Sequence, residues 1–215
     1  MFSGATAFNG DISGWNVSSG VNFSNMFASA TTFNQELKNW NMALATDLSG
    51  MFRNADAFNK DISNWDTALV TTIKSIFEGT AIFNNGGLAL DWINQTGALV
   101  NVNSAFKNAL SFNQSVAGWD VSQVTDFEQT FNNAEAFNQD LNTWNVGSGT
   151  KMYEMFKSAI AFNGNLSNWD VSQVTGMVSM FESTNLFEGG TLSTWNPTAL
   201  INAEKLFRNA SVFNG

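Results

Sequence analysis

The sequence contains no cysteine and no histidine, and only one proline and one tyrosine, among its 215 residues. The absence of cysteine excludes disulfides and thiolate metal sites. Without histidine and cysteine, the commonest general base near neutral pH and a common nucleophile are both missing. Catalysis would have to use carboxylates, hydroxyls or lysines, and no pair of Asp or Glu stands out from the sequence background. The sequence therefore predicts a protein that is not an enzyme and binds no cofactor.

Basic residues and long apolar runs are also scarce. Nine Lys and Arg stand against 18 Asp and Glu, which gives a net charge of −9. The nine are spread singly, whereas a nucleic-acid partner would need a basic stripe, so no nucleic acid is expected. No run of about 18 apolar residues predicts a membrane span. The start of the sequence also lacks the basic and apolar regions of a signal peptide.

Phenylalanine and tryptophan, by contrast, are abundant and regularly spaced. Nine phenylalanines, each of which starts a repeat, follow one another in steps of 25 residues, with single steps of 29 and 26: Phe2, Phe27, Phe52, Phe77, Phe106, Phe131, Phe156, Phe181 and Phe207. A second phenylalanine follows each of these after six residues, and each of the eight complete units contains one tryptophan. A fixed period of this length is typical of proteins whose repeats stack on one another.

Two periodicities within the repeat predict one helix and one strand. Val174, Met177 and Phe181 are three and four residues apart, which is typical of one face of a short amphipathic helix. Trp169 and Val171 alternate with polar residues, which is typical of a strand. Because only turns remain to join these elements, successive strands must run parallel. We therefore expect an α/β solenoid of about eight 25-residue strand-plus-helix units, with a parallel sheet on one face and short helices on the other.

We expect residues 1–215 to form a single solenoid with columns of equivalent side chains inside it. The tryptophans alternate with buried valines, so we expect them in the core and not on the surface as a stacking ladder for sugars. The asparagine that follows most second phenylalanines is expected to pair with the backbone of neighbouring units. The sequence begins and ends in mid-repeat, which predicts a segment excised from a longer array. The alternative is a complete short protein whose ends stack on other copies, in end-to-end self-association.

The fourth unit, over residues 83–106, departs from the pattern because two extra residues stand on either side of Trp92. Insertions in repeats form loops, and such loops often contact a specific partner. The same insertions are also explained by drift, since lengthening a loop costs little. The sequence leaves both interpretations open.

The units FNKDISNWDTALVTTIKSIF (Phe58 to Phe77) and WDVSQVTGMVSMF (Trp169 to Phe181) resemble the repeats of BspA-like leucine-rich-repeat surface proteins. The similarity is to the variety with repeats of about 25 residues found in mycoplasma-type surface lipoproteins, and it covers nearly the whole chain. In the eighth unit Asn196-Pro197 replaces the usual Asp-Val. The resemblance implies a leucine-rich-repeat-like solenoid, a location at the cell surface or outside the cell, and a role in adhesion or protein recognition. It implies no catalytic residues.

The residue after each tryptophan is expected to point outward from the strand face, where a partner would dock. These candidate binding residues are Asn16, Asn41, Asp66, Asp120, Asn145, Asp170 and Asn196, and Ile93 interrupts them. Asn and Asp side chains suit hydrogen bonding to a protein or a glycan, although they also simply solvate the face and keep strands in register. The aspartates are hard ligands of the kind calcium prefers. They lie in different units without a calcium-loop motif, so no metal site is expected.

Two hypotheses of function follow. The first is a non-enzymatic cell-surface recognition or adhesion module that binds a protein or glycan partner through the exposed strand face. The second is a structural repeat segment that assembles end to end or scaffolds a larger complex, without a ligand of its own. Light scattering separates them, because concentration-dependent growth supports the second and a stable monomer supports the first.

Overall fold

The computed structural model describes residues 1–92 and 98–215, and in these the chain forms a stack of similar units. Successive units are joined by isolated parallel β-bridges. One residue of each unit takes part: Asn22, Asp47, Thr72, Asn101, Asp126, Lys151, Gly176 and Asn202. Two 3-10 helices, Asn85–Gly87 and Gly190–Leu192, are the only helical segments in the described residues. Part of the irregular fourth unit, including Ile93, lies outside them.

After each bridge residue the backbone forms a run of consecutive turns. We call these segments the turn ribbons: residues 22–30, 47–55, 72–80, 101–109, 126–134, 151–159, 176–184 and 202–210. In the first ribbon the N–H groups of Met26, Ala28 and Ala30 donate to the carbonyl three residues earlier, at 3.0–3.2 Å. The N–H groups between them donate to the next ribbon, as Phe27 does to the Met51 carbonyl at 2.8 Å. Each ribbon thus satisfies its buried backbone groups partly within itself and partly through its neighbour.

Two residues in each ribbon adopt the left-handed backbone conformation. Ser179 and Ser183 have φ of 52° and 60°, and Gly50 has φ of 60°. A right-handed α-helix needs φ near −63°, and a left-handed residue ends it. Glycine accepts this conformation freely, and among the other residues asparagine accepts it better than most. The ribbon is therefore a repeated turn that cannot continue as a helix.

The predicted α/β solenoid of strand-plus-helix units is wrong. The segment predicted as a helix, which includes Val174, Met177 and Phe181, forms a turn ribbon instead. The segment predicted as a strand, around Trp169 and Val171, is irregular and lies between two turns. The bridges that join successive units lie in the ribbons, and they are isolated residues rather than strands. Asp66, outside the ribbons, is a further bridge residue. Residues 1–92 and 98–215 thus contain neither the parallel sheet nor the layer of helices.

The close stacking of the phenylalanines explains the absence of helices. The first phenylalanines of successive units stack with ring centroids 5.4–5.7 Å apart. Within each unit the two phenylalanine rings lie 3.8–4.3 Å apart. Packed α-helices need about 8–10 Å between their axes. Units held this close together leave no room for a helix in every unit.

The tryptophans complete the core, as predicted. Six of them are at most 4% exposed: Trp40, Trp65, Trp92, Trp119, Trp144 and Trp169. In the first and eighth units, Trp15 is 43% exposed and Trp195 is half-buried. From Trp40 to Trp195, each indole N–H donates to a carbonyl of the preceding unit at 2.7–3.1 Å. Each of these indoles therefore fills the core and also links two units.

An asparagine ladder runs along the turn after the second phenylalanine, which confirms the prediction for these residues. The side-chain oxygen of each asparagine accepts a hydrogen bond from the backbone N–H of the equivalent residue in the next unit, at 2.8–3.1 Å. Asn138, for example, accepts from Asn163 at 2.8 Å. The ladder starts at Asn9 and ends at Glu188, whose N–H is the last donor. It supplies acceptors to turn N–H groups that lack a partner within their own unit.

The indole links can be tested by replacing Trp144 with phenylalanine. We expect Trp144→Phe to lower the free energy of unfolding by about 2–4 kcal/mol, because it leaves a cavity and removes the donor to the buried Val116 carbonyl. Urea unfolding followed by circular dichroism measures the change. Trp15→Phe is the matched control, expected to cost less than about 1 kcal/mol because this indole is largely exposed. Equal losses in the two variants would contradict the role of the indole bond.

The left-handed ribbon positions can be tested at Gly50. An added Cβ there would lie 2.6 Å from the side-chain oxygen of Asn25, in a backbone with φ of 60°. We expect Gly50→Ala to lower the free energy of unfolding by about 1–3 kcal/mol. Gly14→Ala is the control, since a Cβ there meets no atom within 4 Å, and it should change stability by less than about 0.5 kcal/mol. The same denaturation experiment measures both variants, and equal stabilities would show that the ribbon tolerates a side chain at Gly50.

Candidate functional site

The candidate binding residues belong to turns and do not lie on a strand face, and Asp66 alone among them is a bridge residue. We call them the post-tryptophan row: Asn16, Asn41, Asp66, Asp120, Asn145, Asp170 and Asn196. In the first six, a side-chain oxygen accepts a hydrogen bond from the backbone N–H two residues later, at 2.9–3.2 Å. This Asx turn reverses the chain after six of the tryptophans: Trp15, Trp40, Trp65, Trp119, Trp144 and Trp169. At Asn196, which precedes Pro197, the backbone carbonyl accepts from Thr198 instead, at 2.9 Å.

The row is open to solvent along most of its length. Asp66 and Asp120 are half-buried, and the other five residues are exposed. Because the turn uses only one acceptor of each side chain, the second oxygen or the amide group of an exposed member points elsewhere. The exposed members of the row therefore present hydrogen-bonding groups to solvent in several units of the stack. Ile93, which interrupts it in the sequence, lies outside the described residues.

A polar groove forms where the row passes from the seventh to the eighth unit. The groove has a volume of about 440 Å³. Its lining consists of Ser167, Asn168, Trp169, Asp170, Val171, Ser172, Thr194, Asn196 and Thr198. The hydroxyl of Thr194 donates to the Ser167 carbonyl at 2.7 Å, and that of Thr198 donates to the Ser172 carbonyl at 3.3 Å. These bonds hold the two sides of the groove together, so that two members of the row, Asp170 and Asn196, lie at one site.

Asp170 supplies the charge of this groove. The backbone N–H and the hydroxyl of Ser172 donate to its carboxylate and lower the pKa of Asp170 below its ordinary value. The equivalent bonds from Ser13 lower the pKa of Asp11 in the first unit. A lowered carboxyl pKa keeps the side chain negative at neutral pH. The groove therefore combines one stable negative charge with neutral hydroxyl and amide groups.

Charge is divided unevenly between the turn ribbons and the rest of the chain. The ribbons contain seven of the nine basic residues and seven of the 18 acidic residues, so they are neutral as a set. The remaining segments contain 11 acidic residues and only two basic ones, Lys38 and Lys60, and they carry the whole net charge of −9. The post-tryptophan row belongs to these acidic segments. The negative electrostatic potential of these segments favours neutral or cationic partners over anionic ones.

Sequence reasoning missed a network of charged side chains on the last ribbons. Glu182 is buried and pairs with Arg208, whose Nε donates at 2.6 Å, while the Nζ of Lys157 lies 3.8 Å away. Burial raises the pKa of Glu182, but hydrogen bonds from Ser179 and Arg208 outweigh it, so the pKa is lowered. The partners stand about one repeat apart in the sequence. Aligning charges by repeat position would have revealed them.

The described residues contain no group of three or more carboxylates that could hold a metal ion. No helix in the described part of the chain is long and apolar enough to cross a membrane. Three members of the post-tryptophan row are aspartates, the residue type that calcium prefers: Asp66, Asp120 and Asp170. Each of them accepts a hydrogen bond within its own turn.

The turn closed by Asp170 makes stability depend on pH. Because the pKa of Asp170 is lowered in the folded chain, the unfolded chain binds this proton more readily, and stability is lost as pH falls below about 4. Asp170→Asn keeps the turn acceptor but cannot titrate, so it should flatten the acid limb of a stability–pH profile measured by urea unfolding. Asn145→Asp, at the equivalent turn, should steepen it. Three superimposable profiles would show that these turns do not contribute to acid sensitivity.

Comparison with known proteins identifies a family. The model of a family described as "Mycoplasma protein of unknown function, DUF285" matches residues 1–92 and 100–215. No curated protein matches the chain at a significant level. The match supports a family of repeat proteins and not the BspA-like leucine-rich-repeat proteins in particular, whose implied helices and sheet are also absent from residues 1–92 and 98–215. Since the matched residues cover nearly the whole chain, the protein belongs to the DUF285 family.

Proposed function

We propose that the chain is a non-enzymatic recognition module that binds a protein or glycan partner at a microbial cell surface. The groove between the seventh and eighth units carries the proposal, because there the post-tryptophan row widens into a concave site. Its volume of about 440 Å³ falls within the range of about 300–1,000 Å³ that is usual for ligand pockets. The surface location is supported by the likeness of the repeats to those of microbial surface proteins.

The chemistry of the groove favours a partner rich in hydroxyl or amide groups. Asp170 offers acceptors, and Asn196 offers both a donor and an acceptor. The hydroxyls of Ser172, Thr194 and Thr198 donate within the chain, so they add acceptors. The indole of Trp169 is only 3% exposed, so it forms part of the wall and is not a platform on which a sugar ring could stack. We therefore expect recognition through hydrogen bonds.

A binding role fits the lining better than catalysis. Asp170 is the one titratable residue among those that line the groove, and its pKa is lowered. A general acid near neutral pH would need a raised pKa, and a glycosidase would need a second carboxylate opposite the first. The lining also contains no lysine. These features support a site that holds its partner without reacting with it.

A second candidate function is assembly through the end units. Apolar side chains are exposed there, with Met1 and Ile201 at 85% and Trp15 at 43%. An end face of this kind suits contact with an equivalent repeat, because neighbouring units already pack by stacking equivalent rings. Light scattering over a range of concentrations tests this candidate separately from ligand binding.

The groove can be tested by blocking it without breaking its turn. Ser172 donates to Asp170 through its backbone N–H, so Ser172→Trp should keep that bond while its side chain fills the groove. The wild-type chain is first screened on glycan and peptide arrays, and the affinity for each hit is measured by titration calorimetry. We expect Ser172→Trp to weaken binding by about tenfold or more, equivalent to about 1.4 kcal/mol.

Ser122→Trp is the matched control, because Ser122 occupies the same position in the turn closed by Asp120. It should bind like the wild type, and circular dichroism should show that both variants fold. Equal binding by both variants would place the site elsewhere. An absence of hits on both arrays, together with concentration-dependent growth in light scattering, would favour the assembly function instead.

A further inference from the structure

A small polar pocket lies on the first three turn ribbons, and it shares no residue with the groove. Its volume is about 180 Å³. Six residues line it: Asn25, Ser49, Gly50, Arg53, Lys74 and Ser75. Two of the six are cationic and none is acidic, in a chain with twice as many acidic as basic residues. The pocket is thus a local concentration of positive charge.

The two cations of this pocket have no carboxylate partner, unlike most others in the described chain. Five basic residues lie within 4.0 Å of a carboxylate oxygen: Lys38, Lys60, Lys157, Lys205 and Arg208. Within residues 1–92 and 98–215, neither Arg53 nor Lys74 forms an ion pair. Glu78 occupies the ribbon position equivalent to that of Arg53, one unit further on, yet it does not pair with Arg53. In the described residues no carboxylate therefore neutralises the positive charge of the pocket, and this charge is available to a ligand.

The remaining lining groups suit an anion. The hydroxyl of Ser75 is a potential donor, and that of Ser49, which shares a hydrogen bond with the Thr72 hydroxyl at 3.1 Å, can donate to a ligand when Thr72 is the donor in that bond. A guanidinium binds an oxyanion through two parallel N–H groups. The backbone N–H groups of Gly50 and Ser75 already donate to carbonyls in the next ribbon, at 2.8 and 2.9 Å, so side chains must provide the binding. The side-chain oxygen of Asn25 lies 2.6 Å from where a Cβ at Gly50 would stand. This oxygen is an acceptor and does not bind an anion, so Asn25 can contribute only through its amide NH₂ group.

We propose that this pocket binds a single tetrahedral oxyanion, namely a phosphate or a sulfate group. The size supports one such group and not a larger ligand, since about 180 Å³ is below the roughly 300 Å³ at which ligand pockets usually begin. Arg53 provides the fork that recognises two oxygens, Lys74 provides a second charge from the neighbouring ribbon, and the serine hydroxyls complete the site. The site rests on the stacking of neighbouring turn ribbons, because its two cations lie on different ribbons.

The test is an NMR titration of the ¹⁵N-labelled full chain with sodium phosphate and with sodium sulfate, at an ionic strength held constant with sodium chloride. We expect saturable shifts of the Gly50 and Ser75 amides and of the Arg53 side-chain N–H. Arg53→Ala should weaken binding by about tenfold or more, since the charged fork is lost. O-phosphoserine and galactose 6-sulfate then distinguish an oxyanion carried by a peptide from one carried by a glycan.

Lys151→Ala is the matched control. Lys151 is an exposed ribbon cation without an ion pair in the described residues, and it does not line this pocket. Its loss should leave the anion affinity unchanged. The proposal is overturned if shifts do not saturate, if sodium chloride alone reproduces them, or if Arg53→Ala binds as tightly as the wild type. None of these outcomes affects the groove, which is probed by different variants and ligands.

Discussion

The stacking of equivalent aromatic rings is the interaction on which the structure depends. Each unit places two phenylalanines against those of the next, and the first of them repeats at 5.4–5.7 Å. Burying a ring of this size is worth roughly 2–3 kcal/mol before entropy is subtracted. The rings thereby set the distance between units. At that distance the backbone of one unit can donate hydrogen bonds to the next, and the turn ribbons use this opportunity with alternate N–H groups.

The sequence predicted what depends on burial alone. The period, the buried tryptophans and the asparagine ladder all followed from which side chains recur, because equivalent positions in stacked units share one environment. The backbone conformation did not follow. The spacing of Val174, Met177 and Phe181 suits a helix as well as a ribbon, and only the distance between units decides between them. That distance is a property of the packed stack, which local periodicity does not contain. Ser179 and Ser183 were the available signal for a ribbon in the sequence, since both of these polar residues adopt the left-handed backbone conformation.

The candidate site was predictable to a similar degree. The position after each tryptophan was expected to be polar and accessible, and five of the seven residues are exposed. Their role in Asx turns was missed, although an Asp or Asn two residues before a Ser, as in Asp170 and Ser172, is a known turn pattern. The groove itself could not be predicted, because it depends on how the eighth unit, with its Asn196-Pro197 step, packs on the seventh. The pairing of Glu182 with Arg208 was missed because the two residues are 26 apart in the sequence, although they occupy the same repeat position.

Because the main contacts between units recur from one pair of neighbours to the next, the interface between two neighbours depends little on where they stand in the stack. The Trp144 indole and the Trp169 indole, for example, each donate to the carbonyl three residues before the preceding tryptophan. Recombination that removes or duplicates one whole repeat would therefore create an interface between units of a kind that the stack already contains. Insertion or removal of a partial repeat would instead shift every ring out of register. Chains of different length can arise by such exchange without any new type of contact between units. Variation in the number of repeats should therefore leave the folding of the remaining units intact.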